Sequence, residues 1–191
     1  MSKTQNPSKT FKRAIQAGFT LIELLIVVII LAILAAIAIP QFTASTVDAQ
    51  QAALDANLTA VRNSLEQYRA QHGGTYPGNA AATGAGAACT GTAGTGGAGT
   101  LLAMTAQLTQ PSNATGQTCS IANATFRFGP YLRQGVPTEP VSNSAAVAFS
   151  ATGAPIAPTA DTPGWAYDAM SGQFIKNSNL ADPNARNYNL H

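Results

Sequence analysis

The sequence predicts an α+β protein with a long N-terminal α-helical stem, transmembrane in its first half, and a small antiparallel β-sheet head. Three observations support this fold class. The first is an almost uninterrupted apolar run over residues 19–39, and the second is a helical stripe of apolar side chains from Leu54 to Tyr68. The third is a set of short strand patterns, separated by turn residues, within residues 75–191.

The apolar run has the length of a membrane span. Between Phe19 and Ile39 only Thr20 and Glu23 are polar. A helix of these residues is roughly 31 Å long, which matches the hydrocarbon core of a bilayer. We therefore predict a transmembrane helix over residues 19–40, with a carboxylate near its start that needs an explanation.

The charges on either side of the run predict its orientation. No Lys or Arg follows the run until Arg62, whereas four basic residues precede it: Lys3, Lys9, Lys12 and Arg13. Because Lys and Arg resist translocation, we expect a single-pass protein with its N-terminus in the cytoplasm and the residues after Pro40 outside.

The two cysteines, Cys89 and Cys119, fall on the oxidising side of this predicted topology. We predict a disulfide between them, which would constrain the unfolded chain by roughly 3–4 kcal/mol for a loop of this size. Two free buried thiols are the alternative.

The composition bounds the surface and the partners of the protein. Only 9% of the 191 residues are charged, against about 25% in typical soluble domains. The surface must therefore use uncharged polar residues or be covered partly by other subunits. The net charge of +2 comes from the basic N-terminus, because residues 19–191 hold six Lys and Arg against eight Asp and Glu. No specific nucleic-acid site is predicted.

Two ordinary interpretations of the apolar run are a membrane anchor and a cleaved secretory signal. Ala36-Ile37-Ala38 supplies an A-x-A cleavage site, and cleavage there would release a secreted monomeric binding protein. Against the secretory signal, the uncharged core of residues 24–39 is longer than the usual apolar region of a signal, and Glu23 lies at its head.

A third interpretation uses the flanking residues as well. A basic leader is followed by Gly18-Phe19-Thr20-Leu21-Ile22-Glu23, the apolar run and Pro40. These features, in register over residues 12–42, resemble the type III signal of type IV pilins and the related pseudopilins. The resemblance implies that a prepilin peptidase removes the leader, residues 1–18, by cutting between Gly18 and Phe19. It also implies N-methylation of the new Phe19 amine.

The same resemblance gives the carboxylate a role. It implies that Glu23 meets the Phe19 amine of a neighbouring subunit, which cancels charge in an apolar filament core and sets axial register. A Glu23 that snorkels to the lipid headgroups is the alternative, and it suits the unassembled subunit. The implied partners are a homo-oligomeric helical filament, prepilin peptidase and an inner-membrane assembly platform with a separate ATPase, since the chain has no G-x-x-x-x-G-K-[ST] phosphate loop.

Beyond the membrane, residues 41–74 are predicted to continue the stem as an amphipathic helix. The apolar stripe, which we expect to pack on the protein's own head, consists of Leu54, Leu58, Val61, Leu65 and Tyr68. Pro40 is expected to kink this helix, and Gly73-Gly74 to end it before Pro77. The predicted stem is about fifty residues long.

The head, residues 75–191, opens with residues 80–100, which contain only Ala, Thr, Gly and Cys and are predicted to form a loop. A short helix is expected from Thr100 to before Pro111. Four short strands are predicted, the last two as a hairpin turning at Ser171-Gly172: Thr125–Phe128, Ala146–Ser150, Gly164–Asp168 and Gln173–Lys176. Gly129-Pro130-Tyr131-Leu132 and Gly164-Trp165-Ala166-Tyr167-Asp168 loosely resemble segments of pseudopilin-like heads.

No enzyme, cofactor or metal site is predicted. The two histidines, His72 and His191, belong to no recognisable nucleophile, metal or acid–base arrangement. Asp161 and Asp168 are candidate calcium ligands, but they lack a compact cluster of further oxygen ligands.

The predicted function is structural: a type IV pilus subunit polymerised through its apolar helix, for adhesion, motility or DNA uptake. The alternative is a pseudopilin of a type II secretion system. The predicted location is the bacterial inner membrane before assembly, then an extracellular pilus or a periplasmic pseudopilus.

Overall fold

A computed structural model describes residues 18–158 and 164–191, and the basic leader therefore lies outside the described residues. These described residues contain two helices, three strands and two 3₁₀ turns, in the order α1 (Leu21–Gln71), a 3₁₀ turn (Gly86–Ala88), α2 (Leu101–Thr109), β1 (Val147–Ser150), β2 (Trp165–Asp168), β3 (Phe174–Lys176) and a second 3₁₀ turn (Tyr188–Leu190). The chain divides into two compact units, Met1–Ala44 and Ser45–His191. The α+β architecture predicted from the sequence is confirmed.

Helix α1 is 51 residues long, as predicted. It ends at Gln71, where Gly73 and Gly74 take positive φ and the Gly74 N–H donates to the Arg69 carbonyl at 2.9 Å. This glycine-terminated ending satisfies a carbonyl that the helix itself leaves unpaired. The chain stays helical through Pro40, and the kink expected there stays a prediction.

The apolar stripe of α1 forms the centre of the head. All five of its side chains are at most 1% exposed. The four aliphatic side chains pack with α2 through Met104 and Leu108 and with the sheet through Trp165, Tyr167 and Phe174, and Tyr68 stacks on the ring of His72. The prediction that the stripe packs on the protein's own head is confirmed.

A charged residue beside the stripe also ties the helix to the rest of the head. The Arg62 guanidinium donates to the Phe174 carbonyl at 3.0 Å and to the His191 carbonyl at 2.8 Å. The His191 ring lies against the carboxylates of Asp55 on α1 and of Asp182, at 2.9 and 3.2 Å. The last residues of the chain are therefore held against α1.

The sheet has the order β1-β2-β3. The predicted hairpin is confirmed, because β2 and β3 are antiparallel with Tyr167 opposite Phe174. The prediction of a wholly antiparallel sheet is wrong, because β1 pairs with β2 in parallel, with Val147 opposite Trp165. The physical reason is the length of sequence between β1 and β2, because residues 151–164 are enough for the crossover that a parallel pair of strands needs.

The first predicted strand, Thr125–Phe128, is also wrong. Only an isolated bridge forms there, in which Phe128 and Ser112 exchange backbone hydrogen bonds of 2.8 and 3.1 Å. Phe126 is instead buried against Ala85 and Cys119. Packing, and not strand pairing, therefore explains the apolar residue at this position.

Residues 80–100 form the predicted loop, with one short 3₁₀ turn. Their backbone is fixed by hydrogen bonds to the chain near Cys119, among them Gly94 N–H to the Thr118 carbonyl at 2.9 Å and Ser120 N–H to the Thr92 carbonyl at 2.9 Å. A Cβ on Gly94 would lie 1.7 Å from Thr118 Oγ1, so only glycine fits this approach. Cys89 and Cys119 are joined by a disulfide across Cα atoms 5.5 Å apart.

Helix α2 matches its prediction, beginning after the N-cap Thr100, whose side chain accepts from Ala103 N–H at 3.2 Å. Its buried Gln107 connects separate segments. The Gln107 amide accepts from Gly78 N–H at 2.6 Å and donates to the Ala80 and Gly116 carbonyls at 3.0 and 2.8 Å. This side chain satisfies backbone groups that would otherwise be buried unpaired.

His72 is a structural histidine just beyond α1. It is 5% exposed, and its ring stacks on Tyr68 with centroids 3.7 Å apart. Nδ1 lies 2.8 Å from the Tyr68 carbonyl and therefore carries the proton, while Nε2, 3.0 Å from Ser112 Oγ, accepts. The neutral ring is thus the form that the fold holds.

We expect the Cys89→Ser variant to show greater protease cleavage within residues 80–100 while inserting normally into membranes. Losing the crosslink removes a restraint worth roughly 3–4 kcal/mol on the unfolded chain. Limited proteolysis with mass spectrometry measures the cleavage. Ser120→Ala is the matched control, because it removes the bond from Thr92 N–H to Ser120 Oγ at 2.8 Å but keeps the crosslink. Finding both thiols free to alkylate in unfolded, unreduced wild-type protein would contradict the disulfide.

Stability is expected to decrease as the pH falls below the ordinary pKa of histidine. Burial lowers the pKa of His72 from 6.5 in the folded protein, so the unfolded chain takes up the proton first. The contribution is fully present above that pH and is lost below it. The melting temperature of full-length protein in detergent should fall between about pH 7 and about pH 5, and less so in His72→Gln. His191→Gln should retain the His72 component, and an identical pH dependence in His72→Gln and wild type would refute this assignment.

Candidate processing and assembly segment

The start of α1 is a closed hydrogen-bonded unit. Thr20 precedes the first helical residue, Leu21, and Glu23 occupies the third helical position. The Glu23 carboxylate, through Oε2, accepts from Thr20 N–H at 2.9 Å and from the Thr20 hydroxyl at 2.7 Å. Glu23 N–H in turn donates to Thr20 Oγ1 at 3.2 Å. This reciprocal arrangement is a capping box, which satisfies donors that a helix start leaves unpaired.

Sequence reasoning missed this capping role, although the signal was present. Thr20-Leu21-Ile22-Glu23 has the S/T-x-x-E spacing of a capping box directly before an apolar run. The partners predicted for Glu23 from the sequence were a neighbouring subunit or the lipid headgroups, and not Thr20. Within the described residues only Oε2 is engaged, so Oε1 stays open to a further donor.

The two residues at the predicted cleavage site are accessible. Phe19 is 79% exposed. A Cβ on Gly18 would meet nothing within 4 Å, and its φ is not in the left-handed region. The fold itself therefore does not require glycine at position 18, and a substitution there tests processing without disturbing packing.

The rest of the segment is apolar on all sides. Between Leu21 and Ile39 fourteen large aliphatic side chains are each 47–89% exposed in a single chain. Burying one such side chain is worth about 1.5–3 kcal/mol, so together they represent tens of kcal/mol. That exceeds the entire stability of a typical domain, about 5–15 kcal/mol. Lipid or other protein chains must cover this surface.

Helix α1 is long and apolar enough to cross a membrane. Its most apolar window of 18 residues has a mean hydropathy of 3.3, and none of that window is buried. The absence of burial excludes the core helix of a soluble domain. A secretory signal passes the same test, so length and hydropathy leave that interpretation open.

The other candidate groups are already engaged in the fold. Burial alone would raise the pKa of Asp168, but hydrogen bonds from Ser171 and Thr152 N–H and from the Ser150 hydroxyl hold it well below its ordinary value. Asp168 therefore acts as an acceptor that joins the end of β1 to the β2–β3 turn. Asp161 lies outside the described residues. Within residues 18–158 and 164–191, no group of three or more His, Cys, Asp or Glu is placed to hold a metal ion.

Comparison with known proteins identifies the N-terminal segment. The family described as Prokaryotic N-terminal methylation motif matches residues 13–39. A type IV narrow pilus major component, PilA5, of Thermus thermophilus is 56% identical over 46 residues. That match spans 24% of this chain and 40% of the length of the relative. No solved structure matches the chain.

The fold and the segment together define a class of protein: an exposed apolar helix of membrane length that continues into the core of a small, disulfide-bonded α+β head. Residues 13–39 carry the N-terminal methylation motif, and the N-terminal segment is similar to that of a type IV pilus component. The predicted resemblance is confirmed. The name of the relative describes a component of a pilus, which is a structural assembly. The family match ends at residue 39 and does not extend to the head.

Proposed function

We propose that this protein is the subunit of a type IV pilus, processed by prepilin peptidase and polymerised through the apolar half of α1. The observation that carries the proposal is the methylation motif of residues 13–39 on a helix whose aliphatic side chains are exposed all round. In the precursor, lipid covers these side chains. In the filament, the same helix of neighbouring subunits covers them.

Assembly of this kind is not driven by the hydrophobic effect. Lipid tails and a bundle of apolar helices are similarly apolar, so the transfer changes the burial free energy little. Close packing and polar contacts must supply the difference. In the N-terminal half of α1 the candidate polar contact is the Glu23 carboxylate.

We assign Glu23 two successive roles. In the single subunit Oε2 caps the helix start through Thr20, which lowers the cost of holding the carboxylate in an apolar setting. Cleavage after Gly18 creates a cationic amine on Phe19. In the filament, the open Oε1 of one subunit receives the Phe19 amine of the next, so that capping and pairing coexist on one carboxylate.

The comparisons favour a pilus over a pseudopilus, because the relative is named as a major component of a type IV narrow pilus. The proposed path begins in the bacterial inner membrane with the N-terminus inside. An assembly platform with a separate ATPase then extracts the subunit. Shearing cells and blotting the released filaments for this subunit distinguishes the two: a pilus subunit is released, whereas a periplasmic pseudopilus stays with the cells.

The mature protein is expected to begin at Phe19 with an N-methylated amine. Gly18→Val should accumulate full-length precursor, because the β-branched side chain blocks entry of an extended backbone into the protease cleft. Intact-mass measurement of the membrane and filament fractions checks both outcomes. A mature protein that starts at Ile39 would replace this proposal with an ordinary secretory signal.

Two substitutions of Glu23 separate charge pairing from helix capping. Glu23→Leu removes both functions, whereas Glu23→Gln keeps the capping acceptor and removes the charge. If pairing matters, both variants should be processed and inserted normally but yield few filaments, because each incoming Phe19 amine is left unpaired. Losing one partner of a buried pair typically costs about 3–5 kcal/mol. The measurement is the ratio of sheared filament to processed membrane subunit.

Thr20→Val serves as the matched control, because it removes the side-chain half of the cap and keeps the carboxylate. We expect it to assemble better than Glu23→Gln. Normal filament yield in Glu23→Gln, with a loss in Glu23→Leu and Thr20→Val, would show that the carboxylate acts only as a helix cap.

A further inference from the structure

Almost every charged side chain in the described residues has a partner within the chain. Each of these contacts is a hydrogen bond, an ion pair or a ring contact: Glu23 with Thr20, Asp55 and Asp182 with His191, Arg62 with the Phe174 carbonyl, Glu66 with Arg69, Arg127 with the Phe128 ring, Glu139 with Lys176, Asp168 with Ser150, and Arg186 with the Leu190 carbonyl. Within residues 18–158 and 164–191, the charged side chains left without a partner are Asp48 and Arg133.

These two charges are exposed and opposite in sign, and they stand apart in one chain. Arg133 belongs to residues 131–138. That stretch contacts α1 between Asn57, whose amide donates to the Thr138 carbonyl at 3.2 Å, and Gln71, which accepts from the Tyr131 hydroxyl at 2.6 Å. Asp48 lies on α1 nine residues before Asn57, roughly 14 Å along the axis. Asp48 and the segment that carries Arg133 therefore lie at different positions along the axis of α1.

Arg133 also lines an open groove on this side of the head. One wall is the α1 surface at Asn57 and Ala60, and the other is the 131–138 segment. The Arg133 side chain is exposed beside this groove, where the described residues offer it no carboxylate. An acidic side chain on a second helix is the complement that this groove lacks.

We propose that Asp48 of one subunit pairs with Arg133 of a neighbouring subunit, so that the helix surface around Asp48 docks at the Arg133 groove of a second copy of this chain. A copy shifted along the helix axis by roughly 14 Å or more brings the two charges level. Each subunit carries one acidic and one basic half of the contact on different surfaces. The contact is therefore heterologous and open-ended, which generates a helical polymer and not a closed pair. The inference rests on the filament proposed above.

Such a pair determines register more than affinity. Exposed ion pairs stabilise little, and salt screens them. Like charges brought together at the same position are clearly unfavourable, so a pair of this kind excludes wrong axial offsets between subunits. Packing of the apolar helices supplies the stability, and the pair selects among the offsets that this packing permits.

Charge exchange tests the proposal in full-length protein in cells. Asp48→Arg and Arg133→Asp should each lower the sheared filament yield roughly five- to tenfold. The exchange variant with both substitutions should recover to within about twofold of wild type. Arg127→Asp is the matched control, since it makes the same charge change at another exposed arginine of the head, and we expect its yield to stay near that of wild type. Each variant is checked for normal processing and for an intact Cys89–Cys119 disulfide.

Cysteine crosslinking supplies a second measurement. Asp48→Cys combined with Arg133→Cys should give, on mild oxidation of filaments, a ladder of crosslinked multimers. Either substitution alone should give none, because the contact joins two different surfaces. A single dimer band in place of the ladder would indicate a closed contact and overturn the proposal.

The outcomes separate this inference from the proposed function. Wild-type filaments together with an exchange variant that does not recover, or with no crosslinked ladder, refute the Asp48–Arg133 pair and leave the pilus assignment standing. Cells that express processed wild-type subunit but form no filament or crosslinked polymer refute both.

Discussion

Burial of the Leu54–Tyr68 stripe of α1 is the interaction on which the head depends. The strands of the head have three or four residues each and α2 has nine, so none of these elements provides an apolar surface of any length. The stripe does, over four turns of one helix. The sheet contributes Trp165, Tyr167 and Phe174 to it, and the long irregular segments close around that core. The first half of the helix is thus an exposed apolar segment, and its second half is the scaffold of the head.

The parts of this fold that the sequence predicted are those that local pattern determines. The spacing of the stripe predicts the buried face of α1, the glycines after Gln71 predict its end, and Ser171-Gly172 predicts the β2–β3 hairpin. Each of these signals involves residues that are close together in the sequence. The parallel pairing of β1 with β2 could not be derived in this way, because it depends on where a long connection returns the chain. Gln107 was equally hidden, since its partners are backbone groups of Gly78, Ala80 and Gly116. The contact of His72 with the Ser112 hydroxyl was hidden as well, because the two residues are remote in sequence. At Glu23 the S/T-x-x-E spacing of a capping box was visible in the sequence. Because Glu23 lies in the predicted membrane helix, its partners were expected outside the chain and Thr20 was not considered.

Several of the few charged residues of the chain are buried and help to hold the head together. Glu139 and Lys176 are buried with their charged atoms 3.9 Å apart, and Glu139 also accepts from the backbone N–H groups of Val141 and Ser142. Asp168 similarly fixes the junction of β1 with the β2–β3 turn. The head has little regular secondary structure, so these buried carboxylates accept backbone hydrogen bonds that strand pairing would satisfy in a larger sheet. Few charged residues are then left for the surface.

The loop of residues 80–100 has a consequence for how this protein can diverge over time. Its position is set by hydrogen bonds to its main chain, the Cys89–Cys119 crosslink and glycine at Gly94, and hardly at all by its own exposed side chains. Its exposed alanines and threonines can therefore be exchanged from one lineage to another with little effect on the backbone path. The outer chemistry of the head can drift while the architecture beneath it stays constant.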